Sequence, residues 1–250
     1  MIEQNSDHKD RVWQLPEVAI GFLDGMRGAI PLAEPQIDVM IRVIKAARSE
    51  LRTFMDIGCG DGILGHAILA HYPDAQGILL DFSDAMIESA RHKLATSRQQ
   101  LQFIKQDYGS TDWVKSVAHF GKFDAIVSGF SIHHQPDSRK QSLYAEIYHL
   151  LKPGGIFVNI EHIAPENAWV EERFDELFID SMISHNQRHN IELSPEETAK
   201  RYHEREHRDA NILAPLDLQL NWMRDIGFRQ VSCYLKIFEL AVFGGIHPDG

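Results

Sequence analysis

A glycine-rich turn is the first feature of this sequence that could do chemistry. Residues 53–57 are short and largely apolar, which predicts a strand, and Gly58, Gly60 and Gly62 follow at alternate positions. Glycine lacks the Cβ atom that would keep a ligand away from the backbone. The helix predicted after the turn begins with N–H groups that have no partner inside the helix. We therefore expect a ligand to lie across this turn, against the main chain.

Acidic residues around the turn indicate which ligand it takes. Asp56 precedes the glycines, Asp61 lies between them, and no Lys-Ser/Thr pair of a phosphate-binding loop follows. Two carboxylates suit an amine or a sulfonium better than a phosphate, which prefers N–H groups and cations. Asp81 ends the next apolar run, where an acidic side chain can accept hydrogen bonds from ribose hydroxyls. A nucleoside with a cationic tail and no phosphate describes S-adenosylmethionine (SAM).

Five sequence blocks resemble the motifs of the class I SAM-dependent methyltransferases, in the order and at the separations of that family. They are Asp-Ile-Gly-Cys-Gly-Asp-Gly at 56–62, Asp81, Gln-Asp-Tyr at 106–108, Phe-Asp-Ala-Ile-Val at 123–127 and Leu-Leu-Lys-Pro-Gly-Gly at 150–155. The resemblance implies an α/β, Rossmann-like sheet of seven strands in the order 3-2-1-4-5-7-6, with the last strand antiparallel. It implies an enzyme that transfers a methyl group from SAM and releases S-adenosylhomocysteine (SAH).

The same resemblance implies a cofactor site beyond the carboxyl ends of the first strands. Asp107 would accept a hydrogen bond from the adenine amino group, and Tyr108 would cover the ring. The other expected cofactor residues lie in the glycine turn or close after a strand: Asp56, Gly58, Cys59, Gly60, Asp61, Gly62, Asp81, Phe82, Met86 and Ser128.

Candidate acid–base groups follow the fourth and fifth predicted strands. Ligands of open α/β sheets bind beyond the carboxyl ends of the strands, so these groups should face the transferred methyl. His133, His134, Glu161 and His162 could each remove a proton from a hydroxyl, amine or acid acceptor. Alternatively, the histidine pair only shapes the pocket or holds its loop. We take His133 and Glu161 as the catalytic candidates and His134 as a substrate contact.

The segments outside the core are expected to choose the acceptor. We divide one domain, 1–250, into an N-terminal flap and helix (1–48), a SAM-binding core (49–163), a helical lid insert (164–210) and a final helix with two strands (211–250). We place those strands at 228–234 and 236–243. Apolar residues among the glycines of 21–31 indicate a flap over the cofactor cleft, although a surface loop is the alternative. The expected substrate contacts in flap and lid are Phe22, Met26, Trp169, Arg201 and Tyr202.

A second resemblance is one of layout. The N-terminal segment, the long helical insert and the aromatic final strands resemble those of carboxy-SAM synthases. Those enzymes convert SAM to carboxy-SAM with prephenate and hold the added carboxylate with a lid arginine, to which Arg201 or Arg205 would correspond. Because no motif fixes the register, carboxy-SAM synthesis is an alternative activity and not our main prediction.

Three further interpretations are less favoured. A non-catalytic SAM-binding protein would not need to keep residues 56–62 and Asp81. An NAD-dependent dehydrogenase would need a pyrophosphate seat where Asp61 stands. Residues 203–207 match the His-x-x-Glu-His pattern of a class of zinc peptidases, but their polar surroundings favour a solvated helix face. We predict no metal site.

Composition limits the partners. A chain of 250 residues can bury a sizeable core. A net charge of −11 disfavours a general nucleic-acid surface. Cys59 and Cys233 form no disulfide framework, no apolar run approaches the length of a membrane span, and the polar start lacks a signal-peptide core. We expect a cytoplasmic enzyme with a small-molecule substrate, no nucleic-acid or membrane partner, and a monomer or possible homodimer.

Overall fold

The computed structural model describes residues 12–13, 15–21, 27–205, 208 and 210–249. Its strands form one sheet: Thr53–Ile57 (β1), Gln76–Asp81 (β2), Leu101–Lys105 (β3), Phe123–Gly129 (β4), Leu151–His162 (β5), Arg229–Ile237 (β6) and Leu240–Ile246 (β7). Its α-helices are Pro16–Gly21 (α1), Ala33–Ala47 (α2), Ile63–His71 (α3), Asp84–Lys93 (α4), Trp113–Val117 (α5), Asp137–Leu150 (α6), Ala168–Arg188 (α7), Pro195–His203 (α8) and Leu216–Ile226 (α9).

The strand order is β3-β2-β1-β4-β5-β7-β6. Strands β1 to β5 run parallel, and β7 lies antiparallel to both β5 and β6. This confirms the predicted order and the antiparallel last strand. The order reverses between β1 and β4, and this point of reversal opens a crevice at their carboxyl ends.

Helices cover both faces of the sheet, so that its central strands are buried on both sides. Successive side chains of a strand point to opposite faces. Phe54 therefore packs in the core layer that includes Ile44 of α2 and Ile68 of α3. Its neighbour Met55 packs in the layer that includes Ile147 of α6. Such burial explains why these strands are apolar at nearly every position.

Asp124 fastens the amino-terminal edge of the sheet, opposite the crevice. It accepts hydrogen bonds from the backbone N–H groups of Arg52 and Thr53 and pairs with Arg48 and Lys152. Burial alone would raise the pKa of Asp124, but the two cations and the backbone N–H groups lower it well below its usual range. One carboxylate thus ties the end of α2 to the starts of β1 and β5.

The turn between the last two strands differs from the prediction. We expected it at Leu235, but β6 continues to Ile237 and the turn is formed by Phe238 and Glu239. Phe238 takes a left-handed φ of 48°. No glycine, proline or asparagine in residues 231–243 marks this turn, and irregular register in β6 shifts the pairing. The position of this turn buries Glu239 beside the end of β5. There the backbone C=O of Glu239 accepts a hydrogen bond from Ile163 N.

The helical insert consists of α7 and α8, as expected. Helix α8 begins with a capping box between Ser194 and Glu197 and with a proline in its first turn. The ring of His185 in α7 lies so close to Gly28 that a Cβ there would come within 2.4 Å of it. The lid therefore touches the N-terminal segment. The boundaries of the four predicted segments stay predictions.

Some predictions fall on positions outside the described residues. Phe22 and Met26 are among them, as are Glu206 and His207 of the His-x-x-Glu-His pattern. In the part of the chain that the structure describes, no helix combines the length and the apolar character needed to cross a membrane.

Candidate active site

A cavity of about 380 Å³ lies at the carboxyl ends of β1, β2, β4 and β5. Its floor is the glycine turn, and its walls include residues from the N-terminal segment, from the lid and from the loop after β4. Its volume is in the range of small-molecule sites, roughly 300–1,000 Å³. The strand ends bring together residues that lie far apart in the sequence.

The glycine turn is held against the loop after β4. Gly58 has a φ of 63°, and a Cβ at this position would fall 1.8 Å from Ser131 Oγ. The Tyr108 hydroxyl donates to Ser131 O at 2.9 Å and lies 2.5 Å from Ser131 Oγ. Gly58, Cys59 and Gly60 all line the cavity. The bare backbone expected from the sequence is therefore exposed to a ligand.

Asp81 lies at the end of β2, facing the turn. Its Oδ2 accepts the Gly60 N–H at 2.9 Å, and its Oδ1 accepts the Ser83 N–H at 2.9 Å. Burial raises the pKa of Asp81, while these backbone N–H groups oppose the shift. A carboxylate oxygen can accept more than one hydrogen bond, so both oxygens can still take a ribose hydroxyl.

The remaining cofactor candidates divide into two groups. Asp56, Phe82, Met86, Asp107 and Tyr108 line the cavity. Asp61, Gly62 and Ser128 lie beside it without lining it.

Asp61 is placed differently from our expectation. Its carboxylate pairs with Lys93 of α4 at 2.7 Å, because the positive φ angles of Gly60 and Gly62 turn this residue away from the cavity. The Ser128 hydroxyl donates to Ile57 O at 2.8 Å and so joins β4 to β1. Of the two turn carboxylates, only Asp56 lines the cavity, and its Oδ2 accepts the Gly65 N–H of α3 at 3.1 Å.

His133 and Glu161 form a buried pair across two strand ends. His133 Nδ1 lies 2.5 Å from Glu161 Oε1, and the His133 backbone N–H donates to Oε2 at 3.1 Å. Glu161 is only 1% exposed. Burial raises its pKa to about 7, although the His162 N–H and neighbouring cationic groups oppose the shift. Of the two, His133 lines the cavity and Glu161 stands behind it.

A chain of buried polar groups supports Glu161 from the protein side. Asn159 Nδ2 lies 3.4 Å from Glu161 Oε2 and 3.5 Å from the Tyr144 hydroxyl. That hydroxyl donates to Gln219 Oε1 at 2.6 Å. The carboxylate is therefore positioned by groups of β5, α6 and α9.

Two more histidines open on the same cavity. His162 Nε2 donates to Glu239 Oε2 at 2.7 Å, and His134 Nδ1 donates to Ala210 O at 3.1 Å. The ring centroids of His133 and His162 are 5.8 Å apart, and those of His133 and His134 are 4.0 Å apart. The sequence pointed to these imidazoles, but it gave no sign of Glu239.

The lid supplies other residues than those we expected. Phe174, Phe178 and Arg205 line the cavity, whereas Trp169, Arg201 and Tyr202 do not.

The rotation of each lid helix about its own axis decides which of its side chains face the cavity. Trp169 is 64% exposed and lies beside Arg173 on the outer face of α7. Arg201 is exposed, and Tyr202 is buried with its hydroxyl bonded to Asp175 at 2.6 Å. Trp169, Phe174 and Phe178 all belong to the apolar residues of this helix, and the sequence could not show which of them face the cavity.

The geometry fits SAM. The Gly58–Gly60 backbone can lie against the amino acid part, Asp56 suits a cationic group, and Asp81 can bind the ribose hydroxyls. A family model described as a methyltransferase domain matches residues 55–157. This chain carries a SAM-dependent methyltransferase domain. The matched region spans β1 to β5 and includes every cofactor candidate that lines the cavity.

Curated relatives extend the likeness beyond the methyltransferase domain. A carboxy-S-adenosyl-L-methionine synthase of Nautilia profundicola is 24% identical over 91% of each chain. A malonyl-[acyl-carrier protein] O-methyltransferase of Ilyobacter polytropus is 35% identical, over 40% of this chain and 34% of its own.

Solved structures share the fold. An O-methyltransferase family protein from Burkholderia thailandensis superposes with a TM-score of 0.68 at 16% identity, over 97% of this chain and 63% of its own. A structure of PigF with SAH has a TM-score of 0.60 at 20% identity, with the same coverage. This chain spans about three fifths of the length of those solved chains. SAM is accordingly the cofactor of this domain, and SAH is what methyl transfer from SAM leaves.

Proposed function

We propose that this methyltransferase acts on a small, anionic molecule. The observation that carries the proposal is the division of charge along the cavity. Asp56, Asp81 and Asp107 lie on the side of the glycine turn, where SAM would bind. Imidazoles and a guanidinium lie on the other side, at the ends of β4 and β5 and under the lid. The remaining acidic residue among the described lining residues is Glu34 of α2, whose side chain is exposed to solvent. A cationic donor and an anionic acceptor would each meet groups of complementary character.

Arg205 is the principal group for recognition of an anion. It is the one Arg or Lys side chain among the described residues that lines the cavity. Its guanidinium stacks 4.1 Å from the Tyr202 ring centroid and donates to Tyr202 O. Burial lowers the pKa of Arg205, but an arginine remains charged at neutral pH. This fixed guanidinium suits a carboxylate or phosphate.

His133 is placed to handle the proton of the acceptor. In the transfer, the carbon–sulfur bond of the sulfonium breaks as a bond forms from the methyl carbon to the acceptor atom. A proton on that atom would pass to the imidazole, and Glu161 would stabilise the imidazolium that results. Alignment of acceptor, methyl and sulfur supplies the rest of the acceleration.

The test begins with binding of SAH by calorimetry and continues with a metabolite-acid library and labelled SAM. With the acceptor found, Arg205→Ala should raise its KM at least tenfold with a smaller change in kcat, since the lost ion pair serves binding. Arg201→Ala is the matched control, because this exposed lid arginine does not line the cavity. Methylation of neutral acceptors alone, with Arg205→Ala indistinguishable from the parent protein, would count against the proposal.

Carboxy-SAM synthesis is the second candidate. It is favoured by the alignment with carboxy-SAM synthases along nearly the whole chain and by the cavity position of a lid arginine. Mass spectrometry of the ligand that copurifies separates the two functions. SAM or SAH supports methyl transfer, and a heavier carboxylated species supports synthesis.

The remaining predictions concern the substrate class, the location and the partners of the protein. A small-molecule substrate agrees with the size of the cavity. The cytoplasmic location, the homodimer and the lack of a nucleic-acid partner stay predictions.

A further inference from the structure

A second histidine–glutamate pair lies at the cavity, and the proposed proton transfer does not use it. His162 ends β5, and Glu239 lies in the turn between β6 and β7. The His162 side chain is 14% exposed, and that of Glu239 is 3% exposed. The two are joined at 2.7 Å although 77 residues separate them.

Glu239 is buried with few partners of its own. Its Oε2 bonds to His162, and its Oε1 has no hydrogen-bond partner among the described residues. A buried carboxylate costs free energy unless its hydrogen bonds are satisfied. Packing of the His162 ring against Phe174 of the lid, 5.1 Å away, would not require a carboxylate behind it. The pair therefore calls for a reason other than packing.

Glu239 determines how His162 presents its ring. A carboxylate that accepts from Nε2 holds the proton on that nitrogen and leaves the lone pair on Nδ1. Nδ1 of His162 has no hydrogen bond to the described residues, and the ring lines the cavity. His162 is thus prepared to accept a hydrogen bond from a ligand.

His162 and His133 are close enough to contact one chemical group. Their ring centroids are 5.8 Å apart, and both rings line the cavity. The rings come from two neighbouring strand ends, and each is backed by its own buried glutamate.

We propose that His162, held by Glu239, is a second acceptor-binding imidazole beside His133. The acceptor presents two hydroxyl groups on adjacent carbons, and each donates a hydrogen bond to the lone pair of one ring. Vicinal diols and catechols have this chemistry, whereas an ionised carboxylate has no proton to donate. The inference rests on the proposed function, because it identifies the part of the small molecule that the acceptor side recognises.

Imidazole NMR of the protein–SAH complex tests the inference without knowledge of the natural acceptor. The two-oxygen probe is catechol, phenol is the one-oxygen control, and benzoate is the control that has no proton to donate. His133→Gln and His162→Gln assign the two ring signals. Catechol should shift both signals, phenol at most one, and benzoate should shift them less than catechol does.

Two variants separate the role of Glu239 from a structural one. Glu239→Gln should weaken the response of the His162 signal, and His162→Gln should raise the dissociation constant of catechol about tenfold, with SAH affinity unchanged. Glu166→Gln is the matched control, since this exposed glutamate pairs with Lys236 of β6. It should leave both ring signals and their shifts as in the parent protein.

The outcomes distinguish this inference from the proposed function. Normal SAH binding with a His162 signal that catechol does not move overturns the inference alone. So does an unchanged response in Glu239→Gln. A protein that does not bind SAH overturns the proposed function, and the inference with it.

Discussion

Nδ1 of His133 lies 2.5 Å from Oε1 of Glu161, although 28 residues separate them in the chain. The two side chains meet because β4 and β5 are neighbours and parallel, so that their carboxyl ends lie together. A buried carboxylate at this distance holds one nitrogen of the imidazole and stabilises its protonated form. In the proposed function, this pair supplies the proton acceptor, because His133 lines the cavity.

Loss of His133 should slow methyl transfer without loss of the cofactor. For His133→Gln we expect kcat to fall about 10²- to 10⁴-fold, the usual contribution of a general base. SAH affinity by calorimetry should change by less than about threefold, because the donor side is intact. His92→Gln, an exposed histidine of α4, is the control. An unchanged kcat would remove His133 from the proton transfer.

Glu161 should make stability depend on pH. Its pKa is raised from an ordinary value of 4.5 to about 7, so the folded protein binds more protons than the unfolded chain between these values. The free energy of unfolding should therefore fall as pH rises through this range, by at most about 1.4 kcal/mol per unit. Urea titrations of the parent protein and of Glu161→Gln should converge below pH 5 and diverge toward pH 7. Parallel pH profiles would contradict the shift.

Asp81→Asn should weaken SAH. One oxygen of the carboxylate becomes an amide NH₂ that faces the N–H of Gly60 or Ser83, and an acceptor for ribose is lost. We expect affinity to fall about 10- to 100-fold by calorimetry, the effect of one or two hydrogen bonds to a charged group. Asp84→Asn changes an exposed carboxylate three residues away, which pairs with Lys105, and should leave affinity unchanged. Equal affinities of the two variants would place the ribose elsewhere.

Gly58→Ala should damage the turn more than its φ angle explains. Gly58 and Gly121 both have positive φ, but a Cβ at Gly121 meets nothing within 4 Å, whereas one at Gly58 falls 1.8 Å from Ser131 Oγ. Gly121 has a φ of 81° and a ψ of −149°, a region that essentially only glycine adopts, so Gly121→Ala reports backbone strain alone, about 1–3 kcal/mol.

Gly58→Ala must also displace Ser131 and its bond to Tyr108, which should add about 1–3 kcal/mol to the loss of unfolding free energy. Denaturant unfolding measures both variants, and SAH binding should fail only for Gly58→Ala. Similar losses of stability for the two would show that Ser131 moves at little cost.

The sequence by itself determined the topology and the donor side, which is the part of the cavity that would hold SAM. The features that identify this side all lie at strand ends: the glycine spacing, Asp56, Asp81 and the later motif blocks. A few consecutive residues are enough to specify a strand and the turn that follows it. Local patterns of this kind predicted β1 and the last two strands to within a few residues, whereas the seven-stranded order came from the family resemblance that the motif blocks carry. The local patterns failed at the last turn, because no glycine, proline or asparagine marks the sequence around Phe238.

The tertiary structure decided the acceptor side. His133 and Glu161 were each candidates, but their pairing depends on β4 lying beside β5. Glu239 reaches His162 only because β7 returns antiparallel to β5. A helical stripe repeats every 3.6 residues and could not tell the exposed Trp169 from the cavity-lining Phe174. Helical spacing likewise could not distinguish Arg201, which is exposed, from Arg205, which lines the cavity. Which side chain faces a cavity is set by long-range packing, and no local pattern in the chain encodes it.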